Sequence, residues 1–519
     1  MNPSGPPRSS ALAVWEALER GFDAVFGSAQ NPLRHLGALG FMFFWLLAVS
    51  GIYLYAVLDT SVEGAYRSID ELSREQWYLG GVLRSLHRYA ADAFLVVTLA
   101  HLAREFLLGR YTGFRRFSWL TGAPLPLFVF ACGIGGFWLN WDQLGQFSAL
   151  ATAEFFDWLP FFASPLTRNF LITASVGDRL FSLFVFVHLG VPLLLLFGLW
   201  FHIQRITRAE VFPPRALALG TAAALLALAL AAPVMSQAAA DLSVVPGPLA
   251  MDWFLLFVHP LTYATSAGLV WALFCAALLF LFALPFLPMP GRPAVAKVDP
   301  DNCNGCRRCF DDCPFAAITM RPHTNGKIGR QMALVDADLC ASCGICVGSC
   351  PSSTPFRRGE HLLTGIDMPQ LPIDALRRRL EEGLAELRSG RKIVVIGCDH
   401  CAQVDTLARS DVTTLSLICS GMLPPSFVDY ALRGGAAGVL VTGCREGACA
   451  FRLGTRWTDE RFRGAREPHL RASVPRERLG IAWLAAGDDQ ALAAALNQFR
   501  RRISIEAVPR PTAALHQHG

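Results

Sequence analysis

What most constrains this chain is the distribution of its apolar residues. Between residues 36 and 288 they gather into runs of about 20 or more, the length a helix needs to cross a ~30 Å hydrocarbon core. Residues 290–519 are instead rich in Arg, Asp, Glu and Gly. Candidate spans are 36–58, 80–108, 120–140, 180–203, 216–236 and 252–286. The first half therefore reads as an all-α, six-helix transmembrane bundle rather than the core of a soluble helical protein. The chain of 519 residues has room for several domains. No small-residue cleavage site follows the first apolar run, so no removable signal peptide is expected. The net charge of +5 is small for this length and the arginines are dispersed, which argues against nucleic acid as a partner.

Six spans put both termini on one side, and arginine placement selects that side. The connection after the second span carries Arg104, Arg110, Arg115 and Arg116, and the one after the fourth carries Arg205, Arg208 and Arg215. The connection after the first span is net acidic, and the one after the third holds Asp142, Glu154 and Asp157. Both termini are expected in the cytoplasm. The cysteines agree. Of 15, all but Cys132 and Cys275 fall between Cys303 and Cys449 in tight clusters, a pattern of metal ligation rather than disulfides. Thiolate ligands need a reducing compartment. Cys132 and Cys275 lie in spans and read as inert packing residues.

The second span carries His87 and His101, and the fourth carries His188 and His202, each pair fourteen residues apart. Fourteen steps of a helix end roughly 40° from the starting direction and rise about 21 Å, so both rings of a pair share a face at two depths. Two neighbouring helices running the same way then offer two axial imidazoles at each level, the set a six-coordinate haem iron needs. Gly37 and Gly51 in the first span, and Gly122 and Gly136 in the third, repeat the fourteen-residue spacing. A residue without a side chain lets a flat macrocycle approach the backbone. Arg84 and Arg104 would sit near the membrane surfaces, where haem propionates attract cations; ordinary snorkelling is the competing account.

These features resemble the cytochrome b of quinol-oxidising cytochrome bc complexes over about 30–290. The matching stretches are R-S-L-H-R at 84–88, W-L-T-G at 119–122 and G-G-F-W-L-N-W-D-Q at 135–143, together with the paired His and Gly. The resemblance implies two haem b groups, His87 with His188 holding the outer one and His101 with His202 the cytoplasmic one. It also implies quinone as substrate and a homodimer. The family's outer quinol site has a Pro-Glu-Trp-Tyr motif. The corresponding stretch here is M-D-W-F at 251–254, so Asp252 could replace the glutamate as proton acceptor, although the proline and tyrosine are missing. An interfacial Asp-Trp pair accounts for it equally well. His259 is expected to be structural, with a quinone hydrogen bond as the other reading.

After a proline-rich linker (287–296) comes C-x2-C-x2-C-x3-C-P at Cys303, Cys306, Cys309, Cys313 and Pro314, repeated at Cys340, Cys343, Cys346, Cys350 and Pro351. Spacing alone also permits two zinc sites. The doubled run resembles the bacterial two-cluster ferredoxin, in which the fourth cysteine of each run ligates the other cluster. That implies one 4Fe–4S cluster on Cys303, Cys306, Cys309 and Cys350, and another on Cys340, Cys343, Cys346 and Cys313. Ile318 and Ile345 are of the type that shields such clusters.

Three apolar runs, 392–398, 414–420 and 438–444, read as short buried strands that each end at a cysteine. Cys398, Cys401, Cys419, Cys444 and Cys449 would converge at strand-end loops, where open α/β sheets build sites. On spacing, a dithiol pair, a structural zinc and an iron–sulfur cluster all remain open. The set C-S-G at 419–421, G-V-L-V-T-G-C-x4-C, and R-x-G-x3-W at 452–457 resembles the iron–sulfur delta subunit of methyl-viologen-reducing hydrogenase. That family carries a 2Fe–2S cluster and relays electrons to a flavin-containing heterodisulfide-reductase-type subunit. Which four of the five cysteines bind iron stays open. Arg445, Arg452, Arg456, Arg461, Arg463 and Arg466 suggest either a docking face or a solvated surface.

The expected organisation is multi-domain. A cytoplasmic segment (1–35) precedes the cytochrome b bundle (36–286) and the linker (287–296). An α+β ferredoxin-like domain (297–360) and a helical linker (361–390) follow, then a small α/β domain (391–503) and a tail (504–519). The expected setting is the inner membrane of a bacterial or archaeal cell, multi-pass, with the iron–sulfur domains cytoplasmic beside the His101/His202 haem. No dinucleotide loop, flavin motif, or nickel or molybdenum ligand set is present, so a cytosolic redox subunit, such as a flavoprotein, hydrogenase or dehydrogenase, must supply the substrate chemistry. The reading is an electron-transfer subunit linking that partner to the quinone pool. Two rivals stand beside it: quinol-driven reduction of a low-potential acceptor using the membrane potential, and a redox-sensing docking scaffold.

Overall fold

The computed structural model describes all residues except 1–9, 162–164, 167–170, 172–175, 205, 245–246, 288–293, 326–328, 388–391, 446–447, 486 and 506–519. Most of the proline-rich linker, Arg205 and nearly all of the expected tail lie outside the described residues. The chain divides into two compact units, one holding 1–205 and 209–288, the other 206–208 and 289–519.

The first unit is helical. Its elements are α1 (Ser10–Phe26), α2 (Leu36–Val57), α3 (Gly64–Arg74), α4 (Val82–Leu107), α5 (Arg116–Gly122), α6 (Leu125–Asn140), α7 (Gln143–Asp157), α8 (Asp178–Ile203), α9 (Arg215–Ala231), α10 (Val258–Ala264) and α11 (Ala267–Ala283). Among the described residues, four stretches are long and apolar enough to cross a membrane: Leu36–Val57, Gly113–Asn140, Asp178–Ile203 and Ala267–Phe286. The core is built where α2, α4, α6 and α8 meet. Phe43, Phe94, Leu95, Val129 and Leu195 are buried there, while Phe186, Leu193, Phe197 and Leu279 face outward. Apolar side chains turned outward suit a lipid surrounding rather than water.

Three expected spans differ in detail. The 80–108 span is one helix, α4, entered through a π-turn at Trp77–Gly81. Its length suffices to span, but Arg84, Arg88, Asp92, Arg104 and Glu105 make it more polar than the other four. The fifth span ends early, at Ala231, because Pro233 follows two residues on. The sixth is broken between α10 and α11, where Ser266 takes an extended conformation and its hydroxyl accepts from Leu269 N at 3.2 Å, starting a new helix.

The second unit begins with a pseudo-repeated module. Strand β1 (Lys297–Val298), α12 (Arg308–Asp312), β2 (Ile318–Pro322), β3 (Gln331–Val335), α13 (Ile345–Ser349) and β4 (Ile366–Asp367) follow in order. β2 pairs antiparallel with β3, and β1 with β4. The last pairing moves the expected boundary. Residues 362–368 belong to the ferredoxin-like module rather than to a linker, and Leu362, Ile366 and Met368 are buried in it.

Helix α14 (Ile373–Glu386) then leads to a parallel sheet of β5 (Ile393–Cys398), β6 (Val412–Leu417), β7 (Gly438–Cys444) and β8 (Leu479–Leu484), ordered β6-β5-β7-β8. Helices α15 (Ser426–Arg433), α16 (Gly454–Arg463) and α17 (Asp489–Ile505) supply the crossovers and cover. β5 and β7 are buried along their whole length, as strands covered on both faces must be, and both read as continuous apolar runs. β8 was not anticipated. The last helix of the domain is α17.

Candidate cofactor-binding sites

In the helical unit, α4 carries His87 and His101 and α8 carries His188 and His202. The rings meet in two pairs: His87 and His188 have centroids 6.4 Å apart, and His101 and His202 also 6.4 Å. An axial imidazole nitrogen sits about 2 Å from a metal and the ring centre lies about 1 Å further, so two rings across one iron have centres roughly 6 Å apart. Both pairs match that spacing.

Each imidazole is backed by one of the four glycines. A methyl group on Gly51 would lie 3.1 Å from His87 Cε1, on Gly136 3.3 Å from His188 Cε1, on Gly37 3.5 Å from His101 Cε1, and on Gly122 2.7 Å from His202 Cε1. The glycines thus admit the imidazoles themselves, a closer role than clearance for a macrocycle.

Two hydroxyls that the sequence reading missed orient the rings. Ser50 Oγ donates to Leu46 O at 2.7 Å, which leaves its lone pair to accept from His87 Nδ1 at 3.0 Å. Thr121 Oγ1 donates to Phe117 O at 2.8 Å and faces His202 Nδ1 at 3.4 Å. A proton assigned to Nδ1 in this way leaves Nε2 free as a ligand. Both hydroxyls sit immediately before the glycine that backs the same ring, which is the signal that could have found them. The backbone carbonyl of Cys132, four residues before Gly136, faces the His188 ring, whose Nδ1 makes no hydrogen bond among the described residues.

The flanking cations are engaged. Arg84 is buried and donates to Ser73 Oγ (2.6 Å), Asn140 Oδ1 (2.9 Å) and Ser236 Oγ (2.9 Å), all neutral partners. Arg104 pairs with Glu19 at 2.8 Å and Glu105 at 3.3 Å. Asp252 pairs with Arg88, which also binds Asp92 at 2.5 Å. Its Oδ1 accepts from Leu255 N at 2.8 Å and Phe254 N at 3.1 Å. His259 is buried, with its Nε2 3.2 Å from Ser148 Oγ, as a structural histidine would be.

In the second unit, Cys303, Cys306, Cys309 and Cys350 line one cavity together with Gly305 and Gly365. Burial pushes the Cys309 thiol up to about 12, and Cys350, Cys306 and Cys303 add to it as neighbours. Cys343 is likewise pushed up by burial, with Cys313 and Cys340 as neighbours. Each run thus has a cysteine of the other run as a neighbour, Cys350 beside Cys309 and Cys313 beside Cys343. Among the described residues, no three His, Cys, Asp or Glu side chains converge on a single ion. A cluster several ångströms wide does not require that.

The other five cysteines gather at the carboxyl ends of β5 and β7 and in the loops beyond β6 and β7, all buried. Their thiols form a chain of contacts, Cys401 to Cys444 to Cys398 to Cys419 to Cys449. Hydrogen bonds from Cys419 and Cys444 hold Cys398 well below the ordinary thiol range, and those two donors are pushed up in return. Gly454, at the start of α16, touches the group: a methyl there would fall 2.1 Å from Cys419 Sγ and 3.3 Å from Cys449 Sγ.

The nearby arginines are largely committed within the fold. Arg456 pairs with Glu460 and Arg463 with Asp459, each at 3.0 Å, while Arg461 and Arg466 both bind Asp312. Arg461 and Arg466 are thereby withdrawn from both a docking face and a solvated surface.

Among solved structures, one titled "Hyperthermophilic respiratory Complex III" aligns with 49% of this chain and 75% of its own at 20% identity, with a TM-score of 0.41. Family models match three successive stretches: cytochrome b/b6/petB over residues 25–209, a 4Fe–4S dicluster domain over 302–354, and the methyl-viologen-reducing hydrogenase delta subunit over 392–505. The chain is thus a fusion whose successive stretches match, in that order, the cytochrome b, 4Fe–4S dicluster and hydrogenase-delta-subunit family models.

Proposed function

We propose that this protein is a membrane-bound electron-transfer subunit that connects a cytosolic redox enzyme with the quinone pool. The observation that carries the reading is the pair of histidine couples, each 6.4 Å between ring centres, at two levels of the same two helices. His87 with His188 and His101 with His202 would each hold one haem b. The crossed cysteine quartets would hold two 4Fe–4S clusters, and four of the five C-terminal cysteines a 2Fe–2S cluster. When bound, these groups supply one-electron transfer; the chain's own residues hold, space and insulate them.

Ser50 and Thr121 would fix the ligand tautomer, and Arg84, whose three hydrogen bonds go to neutral groups, would be the cation for a propionate. Arg104 would do the same at the other level. Asp252 would accept the quinol proton, at the cost of its pair with Arg88. Arginine-rich connections on one side support a cytoplasmic placement of both termini and of the iron–sulfur unit. The similarity to a hydrogenase delta subunit over 392–505 supports a hydrogenase, dehydrogenase or flavoprotein partner.

The test is spectroscopic. Purified protein should show two b-type haems that are reduced both by a quinol and by the reduced partner that co-purifies with it. Haem spectra that respond to neither would refute the quinone-linked relay.

A further inference from the structure

The two cysteine runs are equivalent in sequence but not in surroundings. In each, the residue after the second cysteine adopts a left-handed conformation and opens a short helix: Arg307 (φ 65°) before α12 and Gly344 (φ 74°) before α13. Cys306 is exposed, whereas its counterpart Cys343 is buried. The C-terminal domain packs against the second run and reaches the first at α12 and Pro314, away from the exposed Cys306.

The cover is tight. A methyl on Gly344 would lie 2.9 Å from Met422 Sδ, and one on Gly348 2.2 Å from Gly421 O and 2.6 Å from Arg461 Nη1. On the other side, a methyl on Gly421 would be 2.9 Å from Ile345 Cγ1 and 2.9 Å from Gly454 Cα, and Gly454 itself touches Cys419 Sγ and Cys449 Sγ. One layer of glycine and methionine therefore separates α13 from the five thiols. Cys343 and Cys449 lie within electrostatic reach of each other.

Arg461 pins this contact. It is fully buried and donates to Asp312 Oδ2 (2.6 Å), Ser349 Oγ (2.6 Å), Ile345 O (3.4 Å) and Gly421 O (2.8 Å), so a single guanidinium ties α12 and α13 to the Cys419 loop. Trp457 Nε1 adds a bond to Asp312 O at 3.1 Å.

We propose that the Cys313/Cys340/Cys343/Cys346 set is the one that exchanges electrons directly with the C-terminal thiol set, and that Arg461 is the positioning residue for that exchange. The Cys303/Cys306/Cys309/Cys350 set is the outlying one, with its Cys306 end open to a further donor or acceptor. One electron leaves one centre as the other gains it, in either direction. This rests on the proposed function, in that both sites must bear clusters.

The test uses anaerobically purified, full-length holoprotein reduced with dithionite, and reads the microwave-power saturation of the C-terminal centre's electron paramagnetic resonance signal. Cys343→Ser should make that signal saturate at several-fold lower power, because its fast-relaxing neighbour is altered, while Cys306→Ser should leave it unchanged. Arg461→Met should weaken the coupling, and Arg461→Lys should restore part of it, with iron content and circular dichroism showing each variant loaded and folded. Should Cys343→Ser or Arg461→Met fail to load, the Cys306→Ser arm still decides: loss of coupling there overturns the order. A C-terminal domain that yields no signal, with iron content unaffected by Cys444→Ser, would instead overturn the cluster assignment and the proposal with it.

Discussion

Arg461 Nη2 lies 2.6 Å from Asp312 Oδ2, across 149 residues of sequence, and neither side chain is open to water. Arg466 holds the other oxygen of the same carboxylate at 2.5 Å and stacks over Trp457 with its guanidinium carbon 3.4 Å from the ring centre. A buried ion pair contributes little net stability against an apolar pair of similar volume, but removing one partner strands the other. The pair is therefore a device of geometry, locking two redox modules into one register, more than a source of stability.

Asp312→Ala should consequently destabilise the iron–sulfur unit by about 3–5 kcal/mol, since Arg461 is left buried without a counter-ion. The double variant Asp312→Leu with Arg461→Met should recover much of that loss. Thermal unfolding followed by bleaching of iron–sulfur absorbance checks both. A double variant as unstable as Asp312→Ala would contradict the account.

At the histidine couples, the four glycines are not equally demanding. A methyl at Gly122 meets His202 Cε1 at 2.7 Å and Nδ1 at 2.9 Å, too close to be absorbed, whereas a methyl at Gly37 meets His101 Cε1 at an ordinary 3.5 Å. Gly122→Ala should displace the His202 ring and lose one of two haems; Gly37→Ala should retain both. The haem-to-protein ratio decides, and equal losses in the two variants would show that the glycines serve the macrocycle instead.

Ser50 and Thr121 address different levels of the bundle. Ser50→Ala should shift the midpoint of the haem at His87/His188 alone, and Thr121→Ala that at His202/His101 alone. Partners of this kind typically change metal affinity by about 10–100-fold. Redox titration of the two α-bands separates the effects.

A pH dependence is expected from Asp367 in β4. Its carboxylate accepts from Met368 N at 2.8 Å and Ile373 N at 3.1 Å, at the entry to α14. Burial nonetheless lifts its carboxyl from 3.8 to about 6. The folded-state value lies above the unfolded one, so its contribution to stability is full below about 4 and is lost as pH rises through about 6. Urea unfolding of the iron–sulfur unit within the full chain, on either side of pH 6, should show this loss. Asp367→Asn should flatten it; an unchanged slope would assign the dependence to other groups.

What could be read from the sequence was whatever repeats at a fixed interval. The fourteen-residue spacing of His87/His101 and His188/His202 on α4 and α8, the doubled cysteine run, and the apolar strands β5 and β7 are local patterns, and each was legible. β8 was missed because Leu479–Leu484 is a single short run behind an arginine-rich stretch, with no cysteine to mark its end. β4 falls in the stretch expected as linker because a two-residue strand has no period. The Arg461–Asp312 pair leaves no local trace at all, since its partners meet only after two modules have folded and docked. Ser50 and Thr121 stand between these cases: their position beside a glycine was visible, but their use required the helix faces.

The role of Asp252 turns on Arg88. The two side chains form an ion pair, and Asp252 also accepts backbone N–H groups from Phe254 and Leu255. A carboxylate so held suits a proton acceptor only if the arriving quinol, or a move of Arg88 toward Asp92, loosens the pair. Asp252→Asn keeps the backbone caps and removes both the charge and the basicity. If Asp252 takes the quinol proton, this variant should slow quinol-driven haem reduction by about 10²–10⁴-fold, the usual contribution of a positioned base, while dithionite reduction stays normal. If Asp252 only braces Arg88, quinol reduction should persist and the midpoint of the haem at His87, the neighbour of Arg88 in sequence, should shift instead. Stopped-flow reduction with a quinol analogue, set beside a redox titration of the same sample, distinguishes a base from a brace.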